Sequence, residues 1–221
     1  EDKLKKIYAF ENEVELVSKN NIIEVMSIKD FYFFVNDEYY ILKYDKKGKE
    51  LKKRQIYKKT KMSPQLINVI SCSELIYLFI ANGEVLIYNT NLELVRKKMI
   101  SPGPSTVCFN NNKFFVHSWE PYYDNIIYVY NSNLFLENKY EVFKSQNENP
   151  YHYQFFLYSD ENMRFIFLFK YLNKVELYDS DFNMISSNRI EGLLDTISYN
   201  NFEQFHVMIV KNKSHPRDLR E

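Results

Sequence analysis

The 221-residue chain carries 29 basic and 29 acidic side chains, 45% hydrophobic residues, two cysteines and four glycines. That length gives one or two domains with room for a single sizeable core, and zero net charge makes no global case for a nucleic-acid or membrane-surface protein. Cys72 and Cys108, 36 residues apart, exclude a disulfide-dense scaffold and a zinc ribbon, and no apolar run approaches the ~18 residues of a transmembrane helix.

Tyr and Phe number 19 and 18 against one tryptophan, and alanine occurs only at positions 9 and 81. Strand formers without alanine argue for β structure and against a helical bundle. Lysine outnumbers arginine 23 to 6, a drift that A/T-rich codons produce, so aromatic richness alone is discounted as a sign of stacking surfaces.

Taken in chain order, the strands recur as a repeat. Residues 4–18 supply two, the first being Lys6-Ile7-Tyr8-Ala9-Phe10 followed by the polar turn Glu11-Asn12-Glu13. Ile22–Ser27 and Phe31–Asn36 then lead into Ile41–Tyr44, the turn Asp45–Gly48 and a charged strand over Glu50–Tyr57. Leu66–Ser71 and Leu75–Ala81 lead through Asn82-Gly83, a strong hairpin signal, into Val85–Tyr88, the turn Asn89–Asn91 and a charged strand over Glu93–Ile100. Thr106–Phe109 and Phe114–Trp119 precede Ile127–Tyr130 and the turn Asn131–Asn133; Tyr151–Tyr158 and Met163–Lys170 precede Val175–Tyr178, the turn Asp179–Asp181 and a strand over Asn183–Ile190. Asp195–Tyr199 and Gln204–Val210 close the series.

The aromatics that end the third strands, Phe10, Tyr44, Tyr88, Tyr130 and Tyr178, are spaced 34, 44, 42 and 48 residues apart. Their mean of 42 residues is the period of a four-stranded propeller blade. Asx residues suit the repeated turn because their side chains bond nearby backbone and tolerate left-handed conformations. The N-terminal segment has only third and outer strands and the C-terminal segment only inner and second ones. The expected fold is an all-β propeller of five four-stranded blades, one blade being closed by both termini, with a fragment of a six- to eight-bladed ring or an open sheet array as the alternatives. Residues 1–211 are expected to form this single domain and 212–221 a tail.

The phrases Tyr44-Asp45-Lys46-Lys47-Gly48-Lys49-Glu50-Leu51 and Tyr178-Asp179-Ser180-Asp181-Phe182 resemble the third-to-outer hairpin of WD40-like and NHL-like propellers. The resemblance covers nearly the whole chain and implies a binding platform, although function does not follow from fold.

Catalytic signatures such as HExxH, G-x-S-x-G, a phosphate-binding glycine loop or EF-hand spacing do not occur. His117, His152, His206 and His215 lack paired metal-ligand spacing, so neither a metal nor a cofactor is expected. A propeller hydrolase would need carboxylates at inner-strand ends; Glu24 and Asp195 sit in no motif. Cys72 and Cys108 fall in or beside inner strands of successive blades, where buried thiols serve as small apolar residues; a disulfide is the alternative.

Two features remain as candidate sites. From Lys43 to Lys61 ten basic residues (Lys43, Lys46, Lys47, Lys49, Lys52, Lys53, Arg54, Lys58, Lys59, Lys61) face only Asp45 and Glu50, a net charge of +8 on one blade's rim. Lysine on an exposed edge guards against strand addition; the functional reading is a landing site for an acidic partner or polyanion. The second feature is aromatic. Loops joining second to third strands and outer strands to the next blade emerge on one face, and the longest, Glu120–Asp124 and Lys144–Pro150, are flanked or filled by Trp119, Tyr122, Tyr123, Tyr151, His152 and Tyr153. Aromatics on long loops of a rigid scaffold suit a binding site; alternatively they fill gaps between blades. The expected function is a non-enzymatic module that presents this face to a protein partner, with glycan or small-ligand binding as the alternative and hydrolysis a distant third.

Overall fold

In the computed structural model the described residues are 5–9, 14–18, 22–58, 60, 63–101, 103–118, 126–142, 155–159, 164–169 and 174–189; for 5–9, 14–18, 22–24, 155–159 and 168–169 only the backbone is described. Every element among the described residues is a strand. β1 (Lys5–Ala9) and β2 (Val14–Ser18) form a two-stranded sheet. The first four-stranded sheet is β3 (Ile22–Ile28), β4 (Phe31–Asn36), β5 (Tyr40–Asp45) and β6 (Glu50–Gln55). The second is β7 (Leu66–Cys72), β8 (Leu75–Ile80), β9 (Glu84–Asn89) and β10 (Leu94–Met99). The third is β11 (Pro104–Asn110), β12 (Lys113–Ser118), β13 (Ile126–Asn131) and β14 (Leu136–Glu141), and the fourth β15 (Phe155–Ser159), β16 (Phe165–Phe169), β17 (Lys174–Tyr178) and β18 (Met184–Arg189). Strands follow one another as antiparallel neighbours in each sheet, the meander expected of a blade. No described strand completes the sheet of β1 and β2; the segments expected to do so, 195–199 and 204–210, lie outside the described residues.

The chain divides into two compact units, 1–139 and 140–221. In the first unit, sheets pack face to face through alternate side chains, as the two-residue strand period dictates. Phe33, Val35 and Ile41 of the first sheet meet Ile76, Leu78, Ile80, Leu86 and Tyr88 of the second. The other face of the second sheet (Tyr77, Phe79, Val85, Ile87) packs on Val107, Phe114, Val116, Tyr128 and Tyr130 of the third. Phe114 sits 4.8 Å from Tyr77 and 5.2 Å from Phe79 between ring centroids, separations at which aromatic pairs add to area burial. Middle strands β8, β9, β12 and β13 are therefore buried on both faces, whereas β6, β10 and β14 are almost wholly exposed. In the second unit Phe165 stacks on Phe182 at 4.3 Å and Phe167 meets Tyr178 edge-on at 4.8 Å.

The turn from third to outer strand is the same device four times. Asp45 Oδ1 accepts the Lys47 and Lys49 amides at 2.9 Å each, and Asn89, Asn131 and Asp179 do the same for residues two and four positions on, at 2.8–3.1 Å. The left-handed residue is not the Asx itself but the one three positions later: Gly48 (φ 80°), Leu92 (56°), Leu134 (60°) and Phe182 (61°). In the last three turns that residue is buried, so a side chain is driven into the core at a backbone cost that glycine would not incur.

The hairpins differ from expectation in one detail. Asn82-Gly83 is not a two-residue loop: Gly83 N donates to Ile80 O at 2.9 Å and Gly83 alone has positive φ (88°), giving a three-residue loop 81–83 with a glycine bulge. The two-residue loops with both φ positive lie instead between first and second strands, at Ser73-Glu74 and Asn111-Asn112.

Candidate interaction surfaces

The end of the first unit that carries the second-to-third-strand loops is braced by backbone. In the first sheet Tyr39, at φ 62°, donates its amide to Asn36 O at 3.1 Å, and its carbonyl accepts the Ile56 amide at 2.8 Å. In the second sheet Gly83 takes the place of Tyr39, and its carbonyl accepts the Ile100 amide at 2.8 Å. Each loop is thus tied to the exit of its own outer strand. The second tie is so close that an added Cβ on Gly83 would sit 2.3 Å from Ile100 O, and one on Gly103 2.2 Å from Ala81 O. The third sheet hangs on the same connection: Ser118 Oγ donates to Gly103 O at 2.7 Å and the Tyr130 hydroxyl to Ser101 O at 3.1 Å.

Beside these lies His117, buried on β12, with Nδ1 2.5 Å from Ser105 Oγ. Ser105 Oγ also donates to His117 O at 3.2 Å. The two side chains share a hydrogen bond whose direction follows the ring tautomer. Burial pushes the imidazole down to about 3, so the ring is neutral. Among the described residues no three His, Cys, Asp or Glu side chains gather as a metal site.

The β12–β13 connection leaves from this braced end, between Ser118 and Ile126. Trp119, Tyr122 and Tyr123 within it, and Tyr151, His152 and Tyr153 ahead of β15, lie outside the described residues. Cys72 and Cys108 are buried free thiols, and burial pushes that of Cys108 up.

The basic run is distributed more unevenly than its sequence implies. Lys43 is not on the rim: it is buried on β5 with Nζ 3.7 Å from the centre of the Phe31 ring, and desolvation, then the charge of Lys52 opposite, lowers its pKa. Alternation sends it inward because its face is that of Phe33 and Ile41. Lys46 pairs with Asp30 at 2.8 Å. Lys47 and Lys49 spend their amides on the Asp45 turn. Lys52, Lys53 and Arg54 are exposed on β6, with Lys53 4.0 Å over the Tyr40 ring and Arg54 bonded to the Tyr88 hydroxyl of the second sheet. Lys59 and Lys61 lie outside the described residues.

Sequence reasoning missed the continuation of this patch. On β10, Arg96, Lys97 and Lys98 occupy the positions that Lys52, Lys53 and Arg54 hold on β6, as the pairing of Lys97 with Leu86 and of Lys53 with Leu42 shows. The signal was legible in Val95–Ile100 set against Leu51–Ile56, 44 residues earlier.

No protein-family model matches the sequence, and no curated protein matches it. Solved structures do. U3-55K is similar with a TM-score of 0.58 at 11% identity, over 80% of this chain and 55% of that one. The WD40 domain of Neurospora crassa Pan2 is similar with a TM-score of 0.56 at 8% identity, over 77% of this chain and 50% of that one. Hsv2 of Kluyvelomyces marxianus gives 0.52 at 8% identity, over 80% and 54%. The fold is that of a WD40-like β-propeller. The chain spans about half the length of these structures. No helix in the described residues is long and apolar enough to cross a membrane.

Proposed function

We propose that this chain is a non-enzymatic interaction module, residues 1–211 forming one five-bladed propeller with a tail at 212–221, whose loop face receives a protein partner. The observation that carries the reading is the bracing of that face. Backbone ties at Tyr39 and Gly83 and the interlocked Gly83 and Gly103 brace this end of the first unit, and Ser118, after which the 119–125 connection departs, bonds to Gly103 O, the arrangement in which loops carry function on a rigid frame. Trp119, Tyr122, Tyr123, Tyr151 and His152 are the anchors, because large amphipathic rings dominate binding at protein interfaces.

Photo-crosslinking tests this. Benzoylphenylalanine in place of Tyr122 should capture a discrete partner, whereas the same group in place of Asn91, at the opposite strand ends, should not. Trp119→Ala should then weaken that partner's affinity about thirtyfold, equivalent to ~2 kcal/mol, without moving the melting temperature. Capture from both positions alike, or an affinity indifferent to Trp119→Ala, would overturn the assignment.

A further inference from the structure

We infer that the outer strands of the first two sheets, β6 and β10, form a second docking surface, and that its occupant is an extended acidic protein segment carrying apolar side chains. This goes beyond the loop-face reading and does not depend on it.

Lysine as a guard on free edges explains charge on every outer strand or on none. The four outer strands are edges of one kind, yet they are charged differently. β6 carries Lys52, Lys53 and Arg54 against Glu50, net +2, and β10 carries Arg96, Lys97 and Lys98, net +3. β14 has Lys139 against Glu137 and Glu141, net −1, and β18 has Arg189 alone. Positive charge is concentrated on two neighbouring strands and is therefore not a general property of edges here.

The pairing register turns part of this charge into one seam. Lys52 and Arg54 lie on the face of the first sheet that packs against the second, with Lys43 directly opposite Lys52. Lys97 and Met99 lie on the face of the second sheet that packs against the first, beside Leu86 and Glu84. Arg54 reaches Tyr88 across the seam, and Tyr57 reaches buried Glu84, which also holds Lys97. Glu84 is thus already occupied, and among the described residues no carboxylate lies at ion-pair distance from Lys52, Lys53 or Arg54. Like charges placed opposite each other on neighbouring strands destabilise, and the Lys43–Lys52 pair is such a case. An anionic group in the seam converts that repulsion into attraction.

Apolar exposure selects a protein over a nucleic acid or glycosaminoglycan. Leu51, Leu94, Val95 and Met99 on the same two strands are 46%, 46%, 53% and 59% exposed, and they lie among the cations that β14 and β18, with exposed Leu136, Met184 and Ile185 of their own, lack. Phosphate or sulfate chains would leave these uncovered. An extended segment alternating acidic and apolar residues would pair its carboxylates with the cations and cover the apolar side chains. Steering by the net positive charge would raise its association rate and make it salt-sensitive.

The test uses the full chain and three probes: a ten-residue peptide alternating Glu and Leu, the same peptide with Ser for each Leu, and a heparin fragment. The Glu–Leu peptide should bind at least tenfold more tightly than the Glu–Ser peptide and lose affinity in high salt. Lys52→Gln with Lys53→Gln should weaken it by tenfold or more, while Lys139→Gln leaves it unchanged. Leu51→Ser with Val95→Ser should weaken the Glu–Leu peptide yet leave heparin retention as it was. The unaltered melting temperature of each variant, measured alongside, assigns the losses to the surface. Equal binding of both peptides, heparin binding that alone depends on the cations, or no peptide binding would each overturn the inference.

Discussion

Leu92 offers a sharp test of how the repeated turn is built, because two effects that normally act together are opposed there. Its side chain is 1% exposed and fills the interface between the first and second sheets, while its backbone is held at φ 56°. Truncating a buried leucine to alanine costs ~2–5 kcal/mol; both residues incur the left-handed penalty of ~1–2 kcal/mol. Glycine removes the same side chain but escapes that penalty. In most settings glycine is worse than alanine by ~0.5–1 kcal/mol; here the order should invert. We expect Leu92→Ala to lose about 3 kcal/mol and Leu92→Gly about 2 kcal/mol. For a chain of this size that corresponds to melting shifts of roughly 6–12 °C and 4–8 °C. Urea denaturation followed by circular dichroism, supported by thermal melts, would measure both. A glycine variant less stable than the alanine variant would refute the left-handed geometry. Two variants within 1 kcal/mol of the parent would refute the plug.

Three further outcomes follow. Gly103→Ala should destabilise strongly, because its Cβ would meet backbone at Ala81 O at 2.2 Å; a variant that melts like the parent would show that the two connections are not interlocked. His117 is neutral when folded and its pKa is depressed to about 3, so its contribution is fully present above its unfolded value of about 6.5 and is lost as pH falls below that, at ~1.4 kcal/mol per pH unit. Between pH 6.5 and 4.5 the parent should therefore lose about 2–3 kcal/mol more than His117→Gln, measured by urea titration; parallel profiles would contradict the burial. Deleting residues 1–18 should abolish cooperative unfolding if both termini share the fifth blade, and an unchanged melt would show that they do not.

Much of the fold was legible because period-two alternation and an Asx residue every forty-odd positions are local signals. Strand ends fell within a residue or two for β7–β10. What escaped were properties set by packing. Nothing in Leu92, Leu134 or Phe182 announces a left-handed backbone, since the preference is overridden by the core each side chain fills. Lys43 read as a rim charge because its neighbours are; only its register opposite Phe33 sends it inward. The β10 cations are visible in the sequence only as part of one more charged outer strand. Their relation to Lys52 and Arg54 depends on which faces meet, and a single strand does not reveal that.

The placement of Trp119 is the most direct test of the loop-face proposal. It is the single tryptophan, so its fluorescence reports that position alone. Acrylamide titration of the folded chain should quench it nearly as efficiently as in urea, with Trp119→Ala melting like the parent. A Trp119 shielded from acrylamide, in a protein that loses ~3–5 kcal/mol when the ring is removed, would make it a core residue and contradict the proposal.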